Sequence, residues 1–195
     1  MKSIKKLFFD LETTGVDERQ NGIHQIAGCL EVEGAVVEDF NWKVAPNPKA
    51  KITQEALDVC GVSEEQIRAY ESMEVVFKRF KAMLRRHCDP YDTTDKIYLV
   101  GFNNASFDNK FLRAWFAQNN ASYFGAWFLA GSLDVMVLAG QYLIDRRAQM
   151  LNFKLSTVAQ AIGIPVDGAR LHDAYYDIEL TREVYRIVTG IDVEL

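Results

Sequence analysis

An excess of positive charge is the first thing this sequence lacks. Lys and Arg number 22 against 27 Asp and Glu, a formal charge of −5. The chain as a whole therefore offers a polyanion no attraction through counterion release, and charge alone argues against a nucleic-acid partner. Cysteine is also sparse. Cys29, Cys60 and Cys88 stand roughly thirty residues apart, which leaves no CxxC pair for a zinc clip or dithiol chemistry, and their odd number does not suggest a closed disulfide framework. They read as free thiols of a reducing cytoplasm. Long apolar runs are missing too. The opening MKSIKKLFFD has the basic start of a targeting segment, but its apolar stretch is only Leu7 to Phe9 before Asp10 interrupts it. No run approaches the ~20 apolar residues of a membrane span, so the expectation is a cytoplasmic protein with no membrane association. Repeats, low-complexity tracts and linkers are absent, and the 195 residues, 49% hydrophobic and 25% charged, fit one globular domain over 1–195.

The elements that are present point to one mixed α/β domain. Residues 4–11 form a compact apolar run of the buried-strand kind. Two more strands are expected over 23–33 and 35–44, joined by a tight turn at Glu33-Gly34, as an antiparallel meander. After Pro46 and Pro48 come short helices over 53–57 and 63–69, then an amphipathic helix over 73–86 with Val76, Phe80, Met83 and Leu84 on its apolar face. Its other face carries Lys78, Arg79, Lys81, Arg85 and Arg86. A fourth strand is expected over 97–102, and a helix capped by Ser106 runs to about 118. A fifth strand is expected over 126–133, with helices over 134–142, 154–162 and 173–188, the last ending at Gly190.

Three groups of carboxylates occupy positions where acids are costly. Period-2 alternation sends Phe8, Asp10 and Glu12 to one face of the first strand and Leu7, Phe9 and Leu11 to the other. Two carboxylates about 6 Å apart repel by roughly 3 kcal/mol at an effective dielectric of 20. By itself Asp-X-Glu is weak: composition predicts about one by chance, and the chain contains three, at 10/12, 177/179 and 192/194. In the last helix, Leu180, Val184 and Ile187 follow Asp177 at core spacing, so that carboxylate must be protonated, paired or metal-bound. Asp173 suits the N-cap, which puts His172 before the helix, where it could approach a reaction centre as a base. Asp108 opens a helix after the polar loop of GFNNASFDNKFL, a position the helix dipole also favours on structural grounds alone. Asp134 fits a strand-to-helix junction.

Together FDLETTG at 9–15, FNNASFDNKFL at 102–112 and HDAYYD at 172–177 resemble the three motifs of the DEDDh family of 3′-5′ exonucleases. Their order and spacing match over essentially the whole chain, including LSTVAQAIGI before the histidine motif. The resemblance implies an α/β RNase H-like fold, a five-stranded mixed sheet flanked by helices, with the acids converging at its centre. It also implies two divalent cations, Mg²⁺ or Mn²⁺. Asp10 would bridge them, Glu12 and Asp177 would complete the first site, Asp108 would support the second, and His172 would be the general base. The four-residue gap between His172 and Asp177 fits the histidine branch, while Tyr175 and Tyr176 keep the tyrosine branch open.

By the same resemblance Thr13, Thr14, Asn104 and Phe107 would serve the terminal nucleotide or the loop around it, and Leu57 in ITQEALDVCGV would wedge against its base. Asn103 departs from the family, where many members have His. The implied substrate is a 3′ end of single-stranded DNA or RNA, with DNA slightly favoured. The alternative is a catalytically idle RNase H-like module that binds nucleic acid or a polymerase. A polymerase partner and a homodimer, with the Lys78 to Arg86 face on phosphates, both remain open. The chain's end at Leu195, soon after the last expected helix, points to a free-standing enzyme.

Overall fold

The alternation of the first strand decides what lies above and below the sheet. In the computed structural model, which describes residues 2–121, 123–171 and 173–190, β1 (Lys5–Thr13) is the central strand. Among the described residues the sheet has five strands. β2 (Ile23–Val32) and β3 (Ala35–Lys43) lie on one side of β1, and β4 (Ile97–Gly101) and β5 (Leu133–Asp134) on the other, in the order β3-β2-β1-β4-β5. β1 to β3 form the expected antiparallel meander, and β4 and β5 run parallel to β1 and to each other. Glu33 and Gly34, with φ of 50° and 83°, make the turn between β2 and β3, the positive-φ pair whose twist suits a hairpin.

Leu7, Phe9 and Leu11 face a helical layer built from α3 (Met73–His87) and α4 (Asp108–Gln118), whose Val76, Phe80, Leu112 and Trp115 complete that core. Phe8 faces the opposite layer of α5 (Val135–Tyr142), α6 (Leu155–Ala161) and α7 (Ala174–Thr189). Each large side chain so buried contributes about 1.5–3 kcal/mol, and the two cores clamp β1 from both sides. Two short helices, α1 (Gln54–Cys60) and α2 (Glu64–Arg68), precede α3 and are capped by Thr53 and Ser63. α7 is tied to β2 through the buried Glu31, which accepts from Arg182 Nε at 3.0 Å and Nη2 at 2.5 Å. Among the described residues no helix is long and apolar enough to cross a membrane.

Three local expectations change. The strand expected over 126–133 shrinks to Leu133–Asp134. Phe124–Ala126 is a 3₁₀ turn, Phe128 makes one isolated bridge to Ile97, and the side chain of Ser132 donates to Leu99 O in place of a regular ladder. Ser106 does not cap α4: its hydroxyl turns back to Asn103 Oδ1 at 2.5 Å, which leaves Phe107 at the cap position without a side-chain bond. α1 continues to Cys60, three residues past the expected end, because Gly61 adopts φ 63° and closes it with a left-handed turn.

Candidate active site

Strand pairing places Asp10 opposite Ala27 and Glu12 opposite Gln25, at the C-terminal end of β1. α7 packs across β1 and carries Asp177 in its first turn, fixed by the Asp173 N-cap, whose carboxylate accepts from the N–H groups of Tyr175 and Tyr176. Asp108 comes from the other helical layer as the first residue of α4 and is buried. Burial pushes the Asp10 carboxyl well above the usual carboxylate range, and the charges of Asp108, Glu12 and Asp177 push it further the same way. Asp108 is raised to about 7, chiefly by burial, while N–H groups of its own backbone and of Leu11 pull it partly back. Thus acids from three separate motifs lie near enough to act on one another electrostatically.

The loop that delivers Asp108 is organised from below. Gly101 ends β4 where a Cβ would stand 2.8 Å from Cβ of Asn104, so only glycine lets the chain turn this tightly. Asn104 is fully buried; its Oδ1 accepts from Ser132 Oγ at 2.9 Å and its backbone carbonyl accepts from the Asn109 N–H. Asp134, at the junction of β5 and α5, accepts from the N–H groups of Asn103 at 2.9 Å, Ala105 at 3.2 Å and Met136 at 3.0 Å. The junction role expected for Asp134 is present, and it includes holding the Asp108 loop.

A cleft of about 290 Å³ opens beside Glu12. It is lined by Leu11, Glu12, Thr13, Gly15 and Val16 from the end of β1, by Thr53, Glu55, Ala56, Val59 and Cys60 from α1, and by Phe107. Thr13 and Phe107 both line this cleft, and Phe107 also packs on Phe111 at 5.0 Å between ring centres. Thr14 is fully buried, its hydroxyl donating to Lys51 O at 2.7 Å and accepting from the Gly22 N–H at 2.9 Å, so its side chain braces the wall from within. Leu57 is also buried and is outside the lining; the exposed Val59 is the apolar side chain that α1 presents to the cleft. His172 lies outside the described residues.

Sequence reasoning missed two neighbours of Glu12. The Cys60 thiol donates to Glu12 Oε2 at 3.1 Å, and a ring nitrogen of His24 lies within 4.8 Å of both. Neither spacing nor motif joins residues 12, 24 and 60; only the β1–β2 pairing and the docking of α1 bring them together. What the larger cluster can do follows from its donors. Clustered carboxylate oxygens suit a hard divalent cation such as Mg²⁺ or Mn²⁺, and the raised affinity of Asp10 and Asp108 for protons expresses the same demand for positive charge.

Comparison with known proteins finds relatives and solved structures that span most of this chain. A family model described as exonuclease, RNase T, matches residues 7–185. The chain is 26% identical over 192 residues to the DNA polymerase III subunit epsilon of Rickettsia prowazekii, covering 97% of this chain and 76% of that protein. It is 26% identical to ribonuclease T of Klebsiella pneumoniae, over 90% of this chain and 80% of the relative. It is 24% identical to a PolC-type DNA polymerase III of Thermotoga petrophila, where it spans only 11% of the relative's length. Among solved structures, Escherichia coli exonuclease I in complex with a dT13 oligonucleotide superposes with a TM-score of 0.75 at 22% identity, over 95% of this chain and 41% of that one. The five-stranded mixed sheet with its helices is accordingly an RNase H-like fold.

Proposed function

The chain belongs to the RNase T exonuclease family, and from that premise we propose that it is a 3′-5′ exonuclease that shortens single-stranded nucleic acid from the 3′ end, releasing nucleoside 5′-monophosphates. The observation that carries this reading is the convergence of the charges of Glu12, Asp108 and Asp177 on the half-buried Asp10. Exonucleases of this family use divalent metal ions. In this chain Asp10 would bridge two of them, Mg²⁺ or Mn²⁺, with Glu12 and Asp177 completing the first site and Asp108 supporting the second. When bound, the pair would supply charge stabilisation to the attacking and leaving oxygens of the phosphodiester.

The protein's own groups do the rest. His172, by its place in the HDAYYD motif, takes the proton of the attacking water, which requires a neutral imidazole. Thr13 and Phe107 flank the terminal nucleotide, and Val59 and Ala56 offer its base an apolar wall in the cleft that Glu12 borders. Thr14 and Asn104 hold the two walls from inside. DNA is the favoured substrate over RNA, a reading supported by the polymerase relatives; the ribonuclease relative makes RNA the necessary control.

The test uses 5′-labelled single-stranded DNA and RNA of one sequence. Stepwise shortening in Mg²⁺ that stops with EDTA or with Asp10→Ala is expected. Intact labelled strands retained by the protein would instead identify a binding module. His172→Ala should lower turnover by about 10²–10⁴-fold and flatten its rise with pH through the histidine range. An unchanged pH profile in that variant would remove His172 from the reaction.

A further inference from the structure

His24, Cys60 and Glu12 form a second constellation at the edge of the cleft, with a chemistry unlike that of the carboxylate cluster. One ligand atom from each lies within 4.8 Å of the others, and the Cys60 thiol already contacts Glu12 Oε2 at 3.1 Å. His24 is 1% exposed, yet neither of its ring nitrogens has a hydrogen-bond partner among the described residues. A buried, unpartnered imidazole is costly unless something engages it. Its pKa is lowered to about 4 by burial first and by the Lys43 charge second, against a pull from its own backbone. The ring is therefore neutral at physiological pH, the form that ligates metal.

We propose that Cys60, His24 and Glu12 are a binding site for Zn²⁺, and that zinc held there inhibits the enzyme by taking Glu12 away from the catalytic cations. A sulfur, a nitrogen and an oxygen are the donors zinc takes at three positions, with a fourth left to water or substrate. Ligand atoms around tetrahedral zinc stand roughly 3.5 Å apart, so the trio has to draw in by only about an ångström. Magnesium has little affinity for thiol or imidazole, whereas both raise affinity for zinc. Binding exchanges the Cys60 proton for the ion, and the proton leaves to solvent. The thiolate and Glu12 then match the charge of Zn²⁺, while the nearby Lys43, hydrogen-bonded to Gln25, limits affinity and keeps the site reversible. Cys60 and Glu12 both line the cleft, which gives the ion its entry path. The binding stands on the trio alone; its inhibitory effect rests on the exonuclease reading of Glu12.

Cobalt reports on the site without reference to activity. Co²⁺ added to the metal-free full chain should give thiolate-to-cobalt charge-transfer absorption, which Zn²⁺ abolishes by displacement. The band should persist in Asp177→Asn, which damages the carboxylate cluster, and vanish in Cys60→Ala. His24→Gln should weaken it, and if that variant does not fold, Cys60→Ala still decides. In the Mg²⁺-supported reaction, the zinc concentration for half-inhibition, measured against each variant's own activity, should rise about tenfold or more in Cys60→Ala, at least what loss of an outer-sphere partner costs a metal site. No band in the wild type, or a band that survives Cys60→Ala, overturns the site. Zinc binding that needs Asp177 but not Cys60 overturns it as well, placing the ion among the carboxylates. A band without any effect of zinc on cleavage keeps the site and overturns its inhibitory role.

Discussion

At Asp10, burial and three neighbouring carboxylates act in one direction, favouring the protonated acid. Without cations the folded chain therefore carries strain that the unfolded chain, with its acids dispersed in water, does not. Replacing that acid by the isosteric amide should raise the melting temperature of the metal-free protein by several degrees, on the order of 1–3 kcal/mol of relieved repulsion for a domain of this size. The same Asp10→Asn change should lower turnover by at least about 10²-fold and remove the stabilisation conferred by Mg²⁺. Thermal melts with EDTA and with Mg²⁺ check both halves, and a destabilised metal-free variant would contradict the account. Asp108 gives the pH dependence. Its folded-state pKa of about 7 lies above its unfolded value, so its contribution to stability is complete below the ordinary carboxylate range and is lost as pH rises through about 7. Protons and cations compete for the same oxygens. The gain in melting temperature on adding Mg²⁺ should accordingly grow between pH 5 and pH 8; a gain that shrinks over that range would show that these carboxylates are not where the ion binds.

The loop between β4 and α4 shows how an element delivers one side chain. Two of its backbone N–H groups, those of Asn103 and Ala105, are held by the Asp134 carboxylate, whose Oδ1 also caps α5 through the Met136 N–H. Asp134→Ala should cost about 1–2 kcal/mol as a lost cap and should also shift the Mg²⁺ dependence of turnover to higher concentration, because Asp108 loses its fixed approach. Asp134→Asn, which retains one acceptor oxygen, should recover part of that loss. If both variants melt earlier but keep the wild-type Mg²⁺ midpoint, Asp134 acts on stability alone. The contrast with the sequence lies at this scale. The strands of the meander, the long helices, the Asp173 cap and the core-facing place of Asp177 were legible because each follows from a period or a local rule. Ser106 obeyed the capping rule on paper, but a competing acceptor at Asn103 took its hydroxyl. Leu57 lies in the helix that borders the cleft but is itself buried, while the exposed Val59 lines it, a difference of face that the segment alone does not reveal. The Glu12–His24–Cys60 contact had no local signature, being made by strand register and helix docking alone.

For the molecule as a whole, the negative balance constrains how a polyanion is held. Two divalent ions would carry the formal charge of −5 to about −1, which removes the net repulsion without creating a positive field. The basic face expected on α3 is partly spent within the fold: Arg79 pairs with Glu71 and Arg86 with Glu38, each at 2.7 Å, and Arg79 also lies over the Trp42 ring. On the proposed reading, attraction would be concentrated at the cation site, where one or two terminal phosphates would dock, with base contacts in the adjacent cleft. A labelled oligonucleotide with phosphorothioate 3′ linkages, which slow its hydrolysis, separates these contributions by anisotropy. In EDTA the affinity should be weak and its logarithm should fall with log salt at a slope no steeper than about −2, the value for two or three single-strand phosphates. Adding Mg²⁺ should tighten Kd by about tenfold or more, with the slope altered by less than about one, because the ions act at a fixed point and do not extend the contact along the strand. A slope near −5 in EDTA would instead mean that a broad basic surface engages the strand, and that the placement of charge on α3 matters more than the sign of the total.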